Sequence, residues 1–424
     1  MMSKPIYTVT WLLVAALPVV ARAADETASD PRVERIRQDL GYYRNDRPDD
    51  SASKAELQTL REQMQQRFDQ LEARIQRLER ALPPTAYRAE PAPVRTATAG
   101  ASAAAKVLTV CGQGCDFRDL QQAVLAAAPG GEINLAPESN SGCAVIDKPL
   151  RIVGRSDRNG HRAQLNGGVC QGKAALVTAA ANIVIENLDI AGIAVADGNG
   201  ACVRLDKGTR DLTLRGINCR DSQDGLLGAS ARVLLIEDSV FTNNGYADGR
   251  SHGLYISGGD EVVIRRSQIL STQHAGHSLK CGARKLTVED SVIAALNGHN
   301  SRALDVYGGG EVVLRGNILQ QGPASENSDM IGLALEPARE VAGVHRFTAE
   351  NNWLISDRAG NNMLMRGRKL GPILLSGNRM VGIGAIGIDG AEEAGNQRFS
   401  GREQAGLPPF DATPASLPAP DHHR

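Results

Sequence analysis

Four short stretches repeat through the middle of the chain: Gly253-Leu254-Tyr255-Ile256, Ser278-Leu279-Lys280-Cys281, Ala303-Leu304-Asp305-Val306 and Gly332-Leu333-Ala334-Leu335. Their leading leucines, Leu254, Leu279, Leu304 and Leu333, are 25, 25 and 29 residues apart. The first three are each followed by a turn and a second apolar strand: Val262-Val263-Ile264, Leu286-Thr287-Val288 and Val312-Val313-Leu314. Short strands at a period of about 22–30 residues, with no helix pattern between them, predict an all-β solenoid. In a solenoid, residues one period apart lie about 4.8 Å apart on stacked strands. Spacing along the chain therefore becomes adjacency in space.

The second strands extend the series backwards through Leu234-Leu235-Ile236 and Leu212-Thr213-Leu214 to Ile183-Val184-Ile185. A polar turn position follows: Asn187, Asp238, Arg266, Asp290 and, one residue later, Asn317. An aromatic content of 4% with 45 glycines suits thin coils and tight turns better than a bulky helical core. The first coil of a solenoid needs a cover. A helix with Phe117, Leu120, Val124 and Ala127 on one face, capped by Asp116, is the candidate.

The ends differ from the repeat. Residues 1–23 read as a signal peptide, with Lys4, a short apolar run to Val20 and Ala21-Arg22-Ala23 as the cleavage site. Residues 24–53 are a polar, flexible leader. Over 54–82, Leu57, Leu60, Met64, Phe68, Leu71, Ile75, Leu78 and Leu82 recur at spacings of 3 and 4, the stripe of a coiled-coil helix. It implies a homo-oligomer; a lone amphipathic helix on the main domain is the alternative. An Ala/Pro-rich linker (83–106), the solenoid (107–395) and an irregular Pro-rich tail (396–424) complete the chain. Export makes disulfides available to the seven cysteines. Cys111 and Cys115 suit a local bridge, and Cys143 and Cys170, about one period apart, could face each other on neighbouring coils. Cys219 and Cys281 fall on core positions, Cys281 as a small buried hydrophobe. A net charge of -1 argues against nucleic acid, and no segment after the signal predicts a membrane span. The expected location is periplasmic or secreted.

The order of a covering helix, then Gly131-Glu132-Ile133-Asn134-Leu135-Ala136-Pro137, then Ile146-Asp147-Lys148-Pro149-Leu150-Arg151-Ile152-Val153-Gly154, then stacked coils, resembles the right-handed parallel β-helix repeat superfamily, the pectin-lyase-like fold. The resemblance covers about residues 107–395. It implies a single-stranded right-handed parallel β-helix with an N-terminal capping helix, preceded here by the coiled coil. It does not single out an activity, because lyases, hydrolases, epimerases and non-catalytic spikes share this fold.

Strand parity separates inside from outside. With Leu254/Ile256, Leu279/Cys281, Leu304/Val306 and Leu333/Leu335 inward, Tyr255, Lys280, Asp305 and Ala334 point outward from one sheet. Leu227 and Arg204 take the same place in the preceding coils. A second column stands just before each strand: Asp224, His252, His277, Arg302 and Ile331. Four of the eight histidines, His252, His274, His277 and His299, lie between 252 and 299.

The resemblance implies a groove on the outer face of this sheet for an acidic polysaccharide. A uronate lyase needs a cation for the carboxylate, a base for the C5 proton and an acid for the departing O4. Lys280 and Arg302 are 22 residues apart and so fall on neighbouring coils. They are similar to the Lys/Arg pair of chondroitinase-B-like and alginate-lyase β-helices. By that resemblance Lys280 is the base and Arg302 the acid or carboxylate clamp. His277 is the alternative base and Tyr255 the alternative acid; Tyr255, His252, Asp305 and Arg204 would bind substrate. Arg302 and His277 would lower the pKa of a lysine base, and Asp305 would raise it. Those lyases also place acidic calcium ligands beside the lysine, where this chain has Tyr255. Glu326, Asp329 and Glu336 form a separate acidic group able to bind a cation. The bland alternative makes Lys280 and Asp305 a surface ion pair and bonds the histidines to loop backbones. Asp221 and Asp224 share one coil with no second acidic pair a period away, so hydrolysis ranks below elimination. The expected function is β-elimination or C5 epimerisation of a uronate-containing polysaccharide. The competing class is a non-catalytic glycan-binding or adhesin-like scaffold made multivalent by the coiled coil.

Overall fold

A computed structural model describes residues 106–418, apart from 138, 141, 231, 247 and 248. The segments assigned from sequence to the signal peptide, leader, coiled coil and nearly all of the linker lie outside the described residues.

The chain winds through three parallel sheets of nine, twelve and eleven strands. One coil illustrates the path. Leu254–Gly258 lies in the nine-stranded sheet, Glu261–Arg265 in the twelve-stranded sheet and Gln268–Leu270 in the eleven-stranded sheet, and Leu279–Cys281 returns to the first. The predicted second strands stack in register: Ile183, Leu212, Leu234, Val262, Leu286 and Val312 are successive partners. Their inward side chains join one continuous apolar column that includes Phe241, Phe347 and Cys281. Burial pushes the Cys281 thiol up to about 12, so it is an inert core residue.

Two ladders at the corner after the second strand hold this register. The first alternates charge over seven coils: Glu186, Arg215, Glu237, Arg265, Glu289, Arg315 and Glu350 are register partners in turn. Arg215 pairs with Glu186 at 2.6 Å and with Glu237 at 2.8 Å, and Arg315 pairs with Glu289 at 2.7 Å and Glu350 at 3.0 Å. Burial alone would raise the Glu237 carboxyl, but Arg215, Arg265 and Arg266 hold it down to about 2. A slip by one coil would set like charges together. The second ladder uses side-chain oxygens. Ser239, Ser267, Ser291, Asn317, Asn352 and Asn378 each accept the backbone N–H of the equivalent residue one coil earlier, at 2.9–3.2 Å. The position just before is left-handed, with φ of 50° at Asp238, 47° at Asp290 and 64° at Gly316. Asn317 thus stands one residue later than the other turn residues because Gly316 takes the bend.

A helix at Leu120–Ala126 buries Leu120, Ala123 and Val124 near the start of the stack. Its N-cap is Asp119, whose carboxylate accepts from Gln122 N at 2.9 Å. Asp116, the residue expected to cap it, instead binds Thr109 and Lys106. Three disulfides form: Cys111–Cys115, Cys143–Cys170 and Cys202–Cys219. Cys219 lies in the core, where its position in the repeat put it, and is bonded there to Cys202. At a separation of 17 this disulfide crosses within the stack rather than joining period mates.

The last strand is Gln397–Phe399, just past the expected boundary at 395. Beyond it, Ala405, Leu407 and Leu417 cover apolar residues on the outside of the eleven-stranded sheet, among them Ile318, Ile355 and Val381. Arg402 anchors this segment on Asp357. Among the described residues no helix is long and apolar enough to cross a membrane.

Candidate functional site on the nine-stranded sheet

The outward column of this sheet runs Val177, Arg204, Leu227, Tyr255, Lys280 and Asp305, in the register the period predicts. The next member is Gly332, not Ala334, because Leu304 pairs with Ile331 and Val306 with Leu333. Ala334 has already left the sheet, with φ of 53°. A side chain at Gly332 would not fit: an added Cβ would lie 2.5 Å from Asp305 Oδ1. The same two-residue slip corrects the pre-strand column. Its fifth member is Asp329, two residues before Ile331, where Ile331 itself was expected.

Six of the seven predicted site residues gather in two layers. Asp224, His252, His277, Asp305, Arg302 and Asp329 form an inner layer. Asp224 Oδ1 accepts from His252 N at 2.7 Å, and His252 Nδ1 accepts from His277 N at 3.0 Å. Bonding of His252 to loop backbone is therefore realised. The two imidazoles stack with centroids 5.4 Å apart. His277 Nε2 lies 3.2 Å from Asp305 Oδ2, while His277 Nδ1 and Asp305 Oδ1 are buried without a hydrogen-bond partner in the structure. Arg302 pairs with Asp329, whose side chain is 1% exposed, and Arg366 reaches the same carboxylate at 3.0 Å.

Burial dominates the electrostatics of this layer. It lowers His252 to about 3, with help from Lys280. It likewise puts His277 well below the usual imidazole range, with His252, Lys280 and Arg302 adding to the shift. Both rings are neutral at physiological pH, and with Nδ1 accepting, His252 carries its proton on Nε2 and acts as a donor. Burial pushes Asp305 up to about 6 although Lys280 and Arg302 pull it down. A carboxyl raised above its unfolded value of 3.8 stabilises the fold fully below that value and loses the contribution as pH climbs through 6. Relative to wild type, Asp305→Asn should therefore gain about 2 kcal/mol between pH 4 and pH 7. Urea unfolding of both proteins at each pH checks this; parallel pH profiles would refute it.

The outer layer is open to solvent. Tyr255 and Lys280 are half-buried, and a loop that leaves the sheet after Leu333 lays Glu336 and Arg339 over them. Lys280 Nζ is 3.0 Å from Glu336 Oε1 and 5.4 and 5.3 Å from the ring centroids of Tyr255 and Tyr307. Arg339 Nη1 is 3.1 Å from Glu336 Oε2 and donates to the Tyr255 hydroxyl at 3.1 Å, with its guanidinium over the Tyr307 ring. Lys280 therefore pairs with Glu336 rather than with Asp305, which is buried beneath. Arg204 is not part of the cluster: Leu227 separates it from Tyr255 by one rung on each side.

Sequence reasoning missed Tyr307, Arg339, Asp329 and Arg366 as members of the cluster. Tyr307 was legible by parity, two residues after outward Asp305. The acidic group proposed for a cation does not converge. Glu336 lies on Lys280 and Arg339, Asp329 on Arg302 and Arg366, and Glu326 is 3.7 Å from His299. Among the described residues no three His, Cys, Asp or Glu side chains group as metal ligands. The residues present do not fit the calcium site that the resemblance raises.

Residues 171–330 match a family model described as "Right handed beta helix region". No curated protein matches the chain. Solved structures similar to it include an alginate lyase from Paenibacillus sp. str. FPU-7, at 20% identity over 66% of this chain and 94% of that one, with a TM-score of 0.43. Geobacillus virus E2 ORF18 aligns at 13% identity over 66% and 56%, with a TM-score of 0.40. The pectin methylesterase from Aspergillus niger aligns at 14% identity over 76% and 92%, with a TM-score of 0.34. Likenesses this distant have no weight in assigning an activity. The three-sheet parallel coil, together with the family match over residues 171–330, gives the chain the architecture of a right-handed parallel β-helix.

Proposed function

We propose that the outer face of the nine-stranded sheet binds and acts on an acidic, uronate-containing polysaccharide, by β-elimination or C5 epimerisation. One observation carries this reading: Lys280 and Arg339 converge on a carboxylate, that of Glu336, beside the Tyr255 hydroxyl. An ammonium and a guanidinium meeting one carboxylate at a half-open face are the groups that would hold a sugar C6 carboxylate.

In elimination a base takes the C5 proton. The C5–H electron pair becomes the C4=C5 double bond, the C4–O4 bond breaks, and the departing O4 takes a proton from an acid. In epimerisation the C4–O4 bond stays and C5 regains a proton on the opposite face. Both routes build negative charge on the sugar carboxylate, which Lys280 and Arg339 would offset. Lys280 faces a carboxylate and two ring faces, the surroundings of a cation, so its role as base requires Glu336 to leave. Tyr255 is the group best situated to exchange a proton, because its hydroxyl stands at the open face, held at 3.1 Å by Arg339 beside Lys280. Arg302, engaged by Asp329, contributes charge from below, and His252 offers a neutral donor.

The test is incubation of the full chain with alginate, polygalacturonate and hyaluronate, followed by ultraviolet absorbance of unsaturated ends. C5 proton exchange in deuterated water detects an epimerase. Product or exchange on at least one polymer is the expected result, and none on any would sink the catalytic reading. The non-catalytic scaffold draws support from one observation, that the acid–base groups of this face are engaged with one another; binding without product would select it. The same proposal takes residues 1–23 as an export signal, residues 54–82 as an oligomerising coiled coil and the helix at Leu120–Ala126 as the cap of the first coil.

A further inference from the structure

We infer that the Glu336 side chain is an internal stand-in for the substrate carboxylate, displaceable from a strap whose backbone stays in place, and that it regulates access to the clamp formed by Lys280 and Arg339. The inference rests on the acidic-polysaccharide reading and deepens it.

The strap leaves the nine-stranded sheet at Ala334 and enters the twelve-stranded sheet at Arg346. It reaches back along the stack: Glu336 contacts Lys280 two rungs earlier, and Arg339 contacts Tyr255 three rungs earlier. Four backbone bonds tie it down, from Ala334 N to Val306 O at 2.9 Å, Arg346 N to Gly310 O at 3.1 Å, Glu336 N to Tyr307 O at 2.9 Å and Val341 N to Gly308 O at 3.0 Å. Between the last two, Pro337–Arg339 make one exposed 3-10 turn. Gly308 permits the close approach, since a Cβ there would meet Arg339 O at 2.4 Å.

The carboxylate uses both oxygens, one on each cation, as a bound uronate would. Yet Glu336 is 35% exposed and Arg339 48% exposed, against 15% for Lys280. An ion pair so wet contributes about 1 kcal/mol or less, so an incoming carboxylate competes on nearly equal terms. The Asp329 carboxylate, 1% exposed between Arg302 and Arg366, has no such freedom. When Glu336 swings out, Lys280 and Arg339 keep two positive charges on a surface already lined by the Tyr255 and Tyr307 rings. An acidic sugar presents a carboxylate and an apolar ring face to match.

The experiment compares the full-length wild type with Glu336→Gln, using polygalacturonate as ligand and a neutral β-glucan as control, by calorimetry at low salt. Glu336→Gln should bind polygalacturonate about two- to fivefold more tightly, with no change toward the neutral glucan. Acylation of the Lys280 amine, followed by peptide mass mapping, should be faster in Glu336→Gln and slowed again by polygalacturonate. Glu336→Asp, which keeps the charge but shortens the reach, should fall between and serves if the glutamine variant folds poorly. Wild-type binding with equal or weaker binding by Glu336→Gln would overturn the strap and leave the acidic-polysaccharide reading standing. Absence of binding by wild type and both variants to polygalacturonate, alginate and hyaluronate would overturn both.

Discussion

Asp329→Ala is expected to destabilise the coil by about 3–4 kcal/mol, read as a drop in urea midpoint. The carboxylate is 1% exposed and faces two arginines of unequal burial. Arg366, at 55% exposure, can turn into water when its partner goes, but Arg302, at 13%, is left as a buried cation without its direct ion-pair partner. The desolvation penalty of that orphan is the source of the effect. Removing both partners should therefore cost less than the sum of the two single changes, with a coupling of about 2 kcal/mol in a cycle of Asp329→Ala and Arg302→Ala. Additive losses would mean that the pair contributes no more than a surface bridge.

Lys280→Ala should reverse this balance of effects. Glu336 keeps Arg339 and solvent, so stability should change little, whereas turnover of any uronate polymer the chain cleaves should fall by about 10²–10³. The rate falls because the carboxylate's developing charge loses its half-buried cation. Lys285→Ala is the control: it breaks an exposed pair with Glu261 on another sheet and should leave the rate unchanged. Initial rates of the three proteins on one polymer decide it. Lys280→Ala turning over like wild type would remove this face from the reaction.

Most of the coil architecture was legible because a parallel stack converts period into register. The spacing of 25 residues between Leu254, Leu279 and Leu304 put Tyr255, Lys280 and Asp305 on consecutive rungs. The reading slipped at the next coil, where Ile331 and Leu333 are both apolar and both inward. Either could align with Leu304, and parity could not choose between them, so Asp329 lost its place in the site. The charge ladder was also within reach, since Glu186, Arg215, Glu237, Arg265, Glu289 and Arg315 end the aligned second strands. Its meaning emerges only when the alternation is read down the stack instead of along each coil.

The strap was beyond reach for a different reason. Glu336 and Arg339 meet Lys280 and Tyr255 across 56 and 84 residues, by a loop folding back over the sheet. No period encodes that path; it is settled by packing, through the bare backbone at Gly308 and the bonds to Val306, Tyr307 and Gly308. The same holds for burial. Asp305 and Lys280 are adjacent outward positions of one column, yet Asp305 lies under the strap and the imidazoles, where desolvation raises its carboxyl to about 6, while Lys280 stays at the edge of solvent. The sequence by itself determined the coil, the inward and outward faces and the neighbours along a column, because strand alternation and a regular rise leave little freedom. Only the tertiary structure decided which charges pair and which are buried. Those outcomes depend on irregular loops closing over the sheet and on the water they exclude.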